Sequence, residues 1–165
     1  HPACREALNS ARARIGQLLD SRGHRPVDVF HRELGALMID RCGISRHAEG
    51  LRDGLQRVAQ LEAQFQNEVR VPGGPEGPNP ELEKALRVND FFGLAQLMLR
   101  DALAREESCG AHFREEHQSA EGEAQRDDVN FAHIAAWEFN DHGDPIRHQE
   151  PLQFTDLQPT TRSYR

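Results

Sequence analysis

Apolar positions along the first two thirds of this chain recur at the spacing of amphipathic helices. Leu8, Ile15, Leu18 and Leu19 share one face of an Ala- and Arg-rich segment from Pro2 to Asp20, which Ser21-Arg22-Gly23 ends. Asp28 is placed to cap a second helix with the stripe Phe30, Leu34, Leu37, Met38 and Ile39, and Gly43 to stop it. Ser45 is expected to open a third, running to about Arg70. Its residues Leu51, Leu55, Val58, Leu61 or Glu62, Phe65 and Val69 make a long narrow seam of the kind used between antiparallel helices. Pro72-Gly73-Gly74-Pro75-Glu76-Gly77-Pro78 is a loop, because its prolines remove donors and its glycines raise the entropic cost of order. Asn79-Pro80-Glu81 then starts a fourth helix, with Asn as N-cap and Pro at the first helical position. Leu82, Leu86, Phe92, Leu97, Met98 and Leu103 carry it to about Glu107 as the longest element.

After Ser108 the helical period is lost. The β-prone run from Phe131 to Phe139 reads as a strand, Asn140-Asp141-His142-Gly143-Asp144-Pro145 as a turn, and Leu152-Gln153-Phe154 as a second short strand. A lone hairpin is marginal in water, so it must lie on the helices or on a missing partner. The pattern therefore describes a helical domain with a β tail.

Composition narrows the function classes. At 165 residues and 18.7 kDa the chain has the size of one domain. Its 27 acidic residues outweigh 20 basic ones, and the net charge of −7 argues against nucleic acid as a partner. No apolar run approaches the roughly 18 residues of a membrane helix. The hydrophobic fraction of 37% lies below the usual ~45–50%, so either much of the chain is irregular or part of its apolar contact lies with a partner. The single lysine, Lys84, is best explained by arginine-biased codon usage and carries no function. Cys4, Cys42 and Cys109 are scattered and odd in number, which fits reduced thiols in a cytoplasmic compartment. The start at His1-Pro2 leads us to expect a piece of a longer protein.

Candidate chemistry concentrates in the segment after the fourth helix. His112 and His117 flank two glutamates, which invites a metalloprotease reading, but they are five apart, about 140° round a helix, whereas zinc-binding helix pairs are four apart. Cys109 and His112 lack a second pair with zinc spacing, and Cys42 with His47 is too loose. Ser108, Cys109 and His112 could be parts of a nucleophilic site. Cys109, however, is expected at the C-terminal end of the long helix, where the dipole disfavours a thiolate. No metal site and no self-sufficient catalytic site are expected. Three clusters of Arg followed by two acids, at 105–107, 114–116 and 126–128, read either as a solvated surface or as ion pairs that hold a loop against a neighbour.

The segments Arg105-Glu-Glu-Ser-Cys-Gly-Ala-His-Phe-Arg-Glu-Glu116, Glu121-Gly-Glu-Ala-Gln-Arg-Asp-Asp-Val-Asn-Phe131 and Ala135-Ala-Trp-Glu-Phe139 closely resemble the C-terminal region of succinate dehydrogenase and fumarate reductase flavoprotein subunits. The common pattern there is Glu-Ser-Arg-Gly-x-His-x-Arg followed by Arg-Asp-Asp, and this chain supplies Glu107, Ser108, Gly110, His112, Arg114, Arg126, Asp127 and Asp128. Cys109 replaces the usual Arg, and the stretch between Arg114 and Arg126 is longer. Both features look like the Glu-Ser-Cys-Gly branch, whose members tend to work with menaquinone. Phe30 to Leu34, Cys42-Gly43 and the ending 160–165 look like that branch too.

The resemblance implies a mainly α fold: an antiparallel three-helix bundle, spectrin-repeat-like with an extra short helix, followed by a small β-hairpin tail. Residues 1–107, with the Pro/Gly loop at 71–80, are expected to form the bundle. Residues 108–165 would add the irregular charged segment and hairpin of the same domain. The bundle is expected to bury Leu8, Ile15, Leu19, Leu51, Leu55, Val58, Phe65, Leu86, Phe92, Leu97 and Leu103. For the whole subunit the resemblance implies FAD-dependent interconversion of succinate and fumarate, with electrons passed to an iron–sulfur subunit. Catalytic and flavin-binding residues would lie upstream, so no cofactor is expected on this fragment. The eight motif residues then serve docking, with Arg114 and Arg126 paired to carboxylates. Partners would be the flavin-binding domain, the iron–sulfur subunit and, indirectly, a membrane anchor, in a cytoplasmic complex peripheral to the cytoplasmic membrane. The rivals are a stand-alone helical protein-interaction adaptor and the equivalent domain of an L-aspartate oxidase.

Overall fold

The computed structural model describes residues 1–141 and 143–160. His142 of the expected turn and most of the family-like ending at 160–165 lie outside the described residues. The elements are α1 (Pro2–Leu19), β1 (Arg25–Pro26), α2 (Val27–Cys42), β2 (Ser45–Arg46), α3 (Ala48–Glu68), β3 (Val69–Arg70), α4 (Pro80–Ala104), β4 (Phe113–Arg114), α5 (Asp128–Phe131), β5 (His133–Glu138) and β6 (Ile146–Pro151). The fold is mainly α with a small antiparallel hairpin, β5–β6, and two parallel pairs of two residues each, β1–β3 and β2–β4. The chain divides into two compact units, residues 1–40 with 54–96 and residues 41–53 with 97–165.

The first unit is organised by three fully buried phenylalanines. Phe65 meets Phe30 edge-on at 5.3 Å between centroids and Phe92 at 5.5 Å, with Leu18, Val27, Leu34, Val58 and Val88 also buried there. Arg25 lies over the Phe30 ring at 4.3 Å while its guanidinium pairs with both oxygens of Glu33 and with Glu68. The chain can pass here only because residue 23 is glycine: a Cβ on Gly23 would lie 2.0 Å from the Glu68 carbonyl oxygen. In the second unit Trp137 donates from Nε1 to Asp101 at 3.0 Å, which fastens β5 to α4. Along β5, His133, Ala135 and Trp137 are buried or half-buried and alternate with exposed Ile134, Ala136 and Glu138, the period-2 signature of a one-sided strand.

The start of α4 follows local chemistry, whereas α2 begins at Val27, so Asp28 lies within its first turn instead of capping it. Asn79 accepts the Leu82 N–H at 3.0 Å and Pro80 opens α4, as the sequence predicts. The seams differ from expectation. In α4 the buried positions are Ala85, Val88, Phe92, Ala95, Leu99 and Ala102, at alternating steps of three and four. The larger Leu82, Leu86, Leu97 and Leu103 are only half-buried and Met98 is exposed. In α3, Gly54 replaces Leu55 in the series Leu51, Gly54, Val58, Leu61, Phe65. Small residues fill these seams because they allow close packing, so side-chain size misidentifies the buried face. Leu8 and Ile39 are exposed, and Ile15 and Leu19 half-buried.

Other boundaries move for tertiary reasons. Ser45 does not open α3, because Ile44 and Arg46 give their carbonyls to the N–H groups of Phe113 and Glu115. The helix begins at Ala48, where His47 Nδ1 accepts the Gly50 N–H at 3.0 Å. Val69 and Arg70 leave the helix to pair with β1. α4 ends at Ala104, so Cys109 lies in a later turn rather than at the helix end. The second strand is β6, with Trp137 opposite Arg147 and Glu138 bonded to His148 at 2.7 Å. Leu152, Gln153 and Phe154 lie beyond it and are exposed.

Candidate functional site

The motif residues gather at the C-terminal end of α4, where the last helical carbonyls have no intrahelical donors. Arg114, 2% exposed, answers that need. Its Nη1 donates to the carbonyls of Ala102, Leu103 and Arg105 at 3.0, 3.2 and 3.2 Å, and its Nε to Glu116 at 3.2 Å. A cation at a helix C-terminus also complements the macrodipole. Ser108 fixes the Arg114 backbone from both sides: its hydroxyl accepts the Arg114 N–H at 2.8 Å and donates to the Arg114 carbonyl at 3.1 Å. Glu107, also 2% exposed, accepts from Arg105 Nε at 2.8 Å and Nη2, and its other oxygen accepts the Asp127 N–H at 2.9 Å. A buried carboxylate with charge-assisted donors on both oxygens is compensated for its lost hydration. Thus Glu107, together with the Ser108 N–H on the Gln125 carbonyl at 2.9 Å, joins the two halves of the motif.

Gly110 has φ +60°, a conformation strained for any residue with a Cβ, in a turn closed by two backbone hydrogen bonds between Cys109 and His112. The turn aims the His112 ring between two arginines. Nε2 donates to the Arg105 carbonyl at 2.9 Å, and Nδ1, 2.8 Å from Arg46 Nη1, must accept because a guanidinium only donates. Burial, reinforced by Arg46, Arg114 and Arg105, holds the His112 pKa below its ordinary value, against the opposing hydrogen bond to the Arg105 carbonyl. Both ring nitrogens are therefore committed, which leaves none for a metal or for a thiol base.

Arg126, Asp127 and Asp128 form the approach to α5. Arg126 bonds Asp128 and the Thr160 carbonyl. Asp127 accepts the Asn130 N–H at 3.2 Å and the Asn130 side-chain amide at 2.8 Å, which hold its carboxyl below the usual range. Arg126 keeps 27% of its side chain exposed, and the arginine sunk in the protein is Arg114. Arg126 and Asp127 border an open polar cleft of about 460 Å³ with Glu106, His117, Gln125, Asn130 and Phe131. Arg46 and the capping role of Glu116 were missed from sequence. Glu116 accepts the Ala48 N–H at the start of α3, 68 positions away, and no local signal could reveal that.

Residues 31–164 match the family described as the fumarate reductase flavoprotein C-terminus. The chain is 30% identical over 152 residues to the fumarate reductase flavoprotein subunit of Escherichia coli, covering 92% of this chain and 24% of that protein. The corresponding subunit of Serratia sp. is 30% identical over 151 residues with the same coverage. L-aspartate oxidase 2 of Ralstonia nicotianae is 30% identical over 139 residues, covering 82% of this chain and 24% of that protein. Among solved structures, a quinol-fumarate reductase with menaquinol molecules superposes with a TM-score of 0.79 at 27% identity, over 97% of this chain and 27% of that one. A variant of Escherichia coli quinol fumarate reductase gives 0.72 at 26% identity, over 98% and 27%. The chain thus spans about a quarter of the length of the proteins it matches. Since the match takes in the buried Glu107–Ser108–Arg114 clasp and the Arg126–Asp128 approach alike, this chain belongs to the fumarate reductase flavoprotein C-terminal family.

Proposed function

We propose that this chain supports, as a structural and docking domain, the FAD-dependent interconversion of succinate and fumarate by a full-length flavoprotein subunit that passes electrons to an iron–sulfur subunit. The observation that carries the reading is the match of residues 31–164 to the family, on a chain that spans a quarter of its relatives. The described residues do not fit the flavin themselves. The parallel pairs are two residues long, β3 leads into the Pro72–Pro78 loop whose three prolines remove backbone N–H donors, and the polar cleft presents Glu106 and Asp127 where a pyrophosphate would need N–H donors. Flavin and dicarboxylate are accordingly assigned to the upstream part of the subunit.

In this reading α1, α3 and α4 pack as an antiparallel bundle, and residues 1–107 and 108–165 are parts of one domain. The motif residues Glu107, Ser108, Gly110, His112, Arg114, Arg126, Asp127 and Asp128 fix the irregular segment so that it can seat against the flavin-binding domain. Among the described residues no helix is long and apolar enough to cross a membrane. In this reading the domain is peripheral to the cytoplasmic membrane and meets it through its complex. The test compares purified 1–165 with the full-length subunit for flavin absorbance and succinate oxidation. The fragment is expected to be colourless and inactive and the full-length chain yellow and active. A fragment that retains flavin, or a full-length chain without succinate or fumarate turnover, sinks the proposal.

A further inference from the structure

The Arg46–His112–Arg105 contact has a geometry that titration would break. His112 is reached from three elements: Arg46 on β2, Arg105 just beyond α4 and Arg114 on β4. Cys109 closes its backbone turn. Two of these guanidinium groups have carboxylates of their own, Arg105 with Glu107 and Arg114 with Glu116. Arg46 differs. Among the described residues its side chain donates to the Gly43 carbonyl through Nε and to the lone pair of His112 Nδ1 through Nη1. Neutral imidazole is thus the side-chain acceptor for Arg46, beside Glu115 for Ser45 and Glu116 for Ala48, in joining the α2–α3 connection to the loop after α4, while its other nitrogen holds the Arg105 carbonyl.

We propose that His112 is an acid-sensitive pin, which in its neutral form clasps residues 43–46 to residues 105–114 and on protonation releases Arg46. A proton on Nδ1 removes the lone pair that Arg46 donates to. It also sets a cation against Arg46 with, among the described residues, no carboxylate bonded to either partner of that contact. The Nε2–H bond to the Arg105 carbonyl survives, so the loss is confined to the Arg46 side. The sign follows from the folded state's preference for neutral imidazole. The contribution is complete above the ordinary histidine pKa of about 6.5 and fades as pH falls below it.

The experiment uses the full-length polypeptide that carries this sequence. Exchange of the imidazole C2 proton, followed by mass spectrometry across pH, reports the midpoint of His112 in place. The wild-type midpoint is expected below 6.5, and Arg46→Gln, which keeps a donor but removes the cation, is expected to raise it. His112→Gln preserves one donor and one acceptor without titrating, so its thermal midpoint should fall less than that of wild type between pH 7.5 and 5.5. A wild-type midpoint at or above 6.5, or an unmoved midpoint in Arg46→Gln, overturns the proposal. So does an equal acid loss in His112→Gln. If His112→Gln fails to fold, the two exchange midpoints still decide.

Discussion

Arg114 shows how one side chain can close a helix. Two of its carbonyl partners, on Ala102 and Leu103, are groups α4 leaves open, a third is on Arg105 just beyond the helix, and Arg114 is almost wholly buried. Replacing it by Leu strands these carbonyls away from water, and we expect a loss of about 3 kcal/mol by chemical denaturation. Arg114→Lys should recover only part of that, since a point charge cannot span the carbonyls and Glu116 at once. Glu116 makes the complementary contact at the start of α3. Burial raises its pKa, but the Ala48 N–H and the Arg114 guanidinium outweigh burial, and the carboxyl sits below its ordinary value of 4.5. A depressed carboxyl contributes stability above the unfolded pKa and loses it as pH falls through the folded one. Glu116→Gln should therefore cost about 1 kcal/mol at pH 7, the size of an N-cap, and nothing once both forms are protonated. Melts of both proteins from pH 7 to 3 should converge, and a constant difference would contradict the ionised cap.

At the scale of elements, α4 reverses the usual weight of large and small side chains. Ala95 is 4% exposed in the buried seam, while the neighbouring Leu94 is 55% exposed. Ala95→Leu must push extra methylene groups into a filled contact and is expected to cost about 1–3 kcal/mol. Leu94→Ala is expected to change stability by less than about 0.5 kcal/mol. If the truncation proves the costlier of the two, the seam has been misplaced. The start of α4 could be read from Asn79 and Pro80 because a cap is a contact between residues three apart. The seam could not, since the same helix offers leucines at helical spacing on a second face and only the packing partner selects between them.

At the scale of the molecule, many large apolar side chains between Val129 and Leu157 remain exposed, among them Val129 at 94%, Phe139 at 83% and Leu157 at 81%. In the docking role proposed above, such surface is what the rest of the subunit would cover. In the full-length subunit Arg126→Ala should lower thermal stability or flavin retention while activity per bound flavin stays near wild type. The structure sets the stability effect at up to about 1 kcal/mol rather than the several expected for a buried ion, because Arg126 and Asp128 are both partly exposed. Lost turnover with stability and flavin content intact would replace docking with a direct catalytic role.

What the sequence determined by itself was local: the helical spans, the Pro/Gly loop, the cap of α4 and the strand at β5, while the motif residues stood out only through the family resemblance. Each of the local features depends on neighbours within a turn or two, so period, capping and turn chemistry suffice. Tertiary structure decided which small residues line the seams, why residues 45–46 and 69–70 leave the helices for parallel pairs, and what the motif residues touch. Arg46 and His112 are 66 positions apart, and Ala48 and Glu116 are 68 apart. A hydrogen bond between such residues has no periodicity to betray it. It exists only because folding brings the end of α4 and the start of α3 within reach of the loop from Glu107 to Glu116.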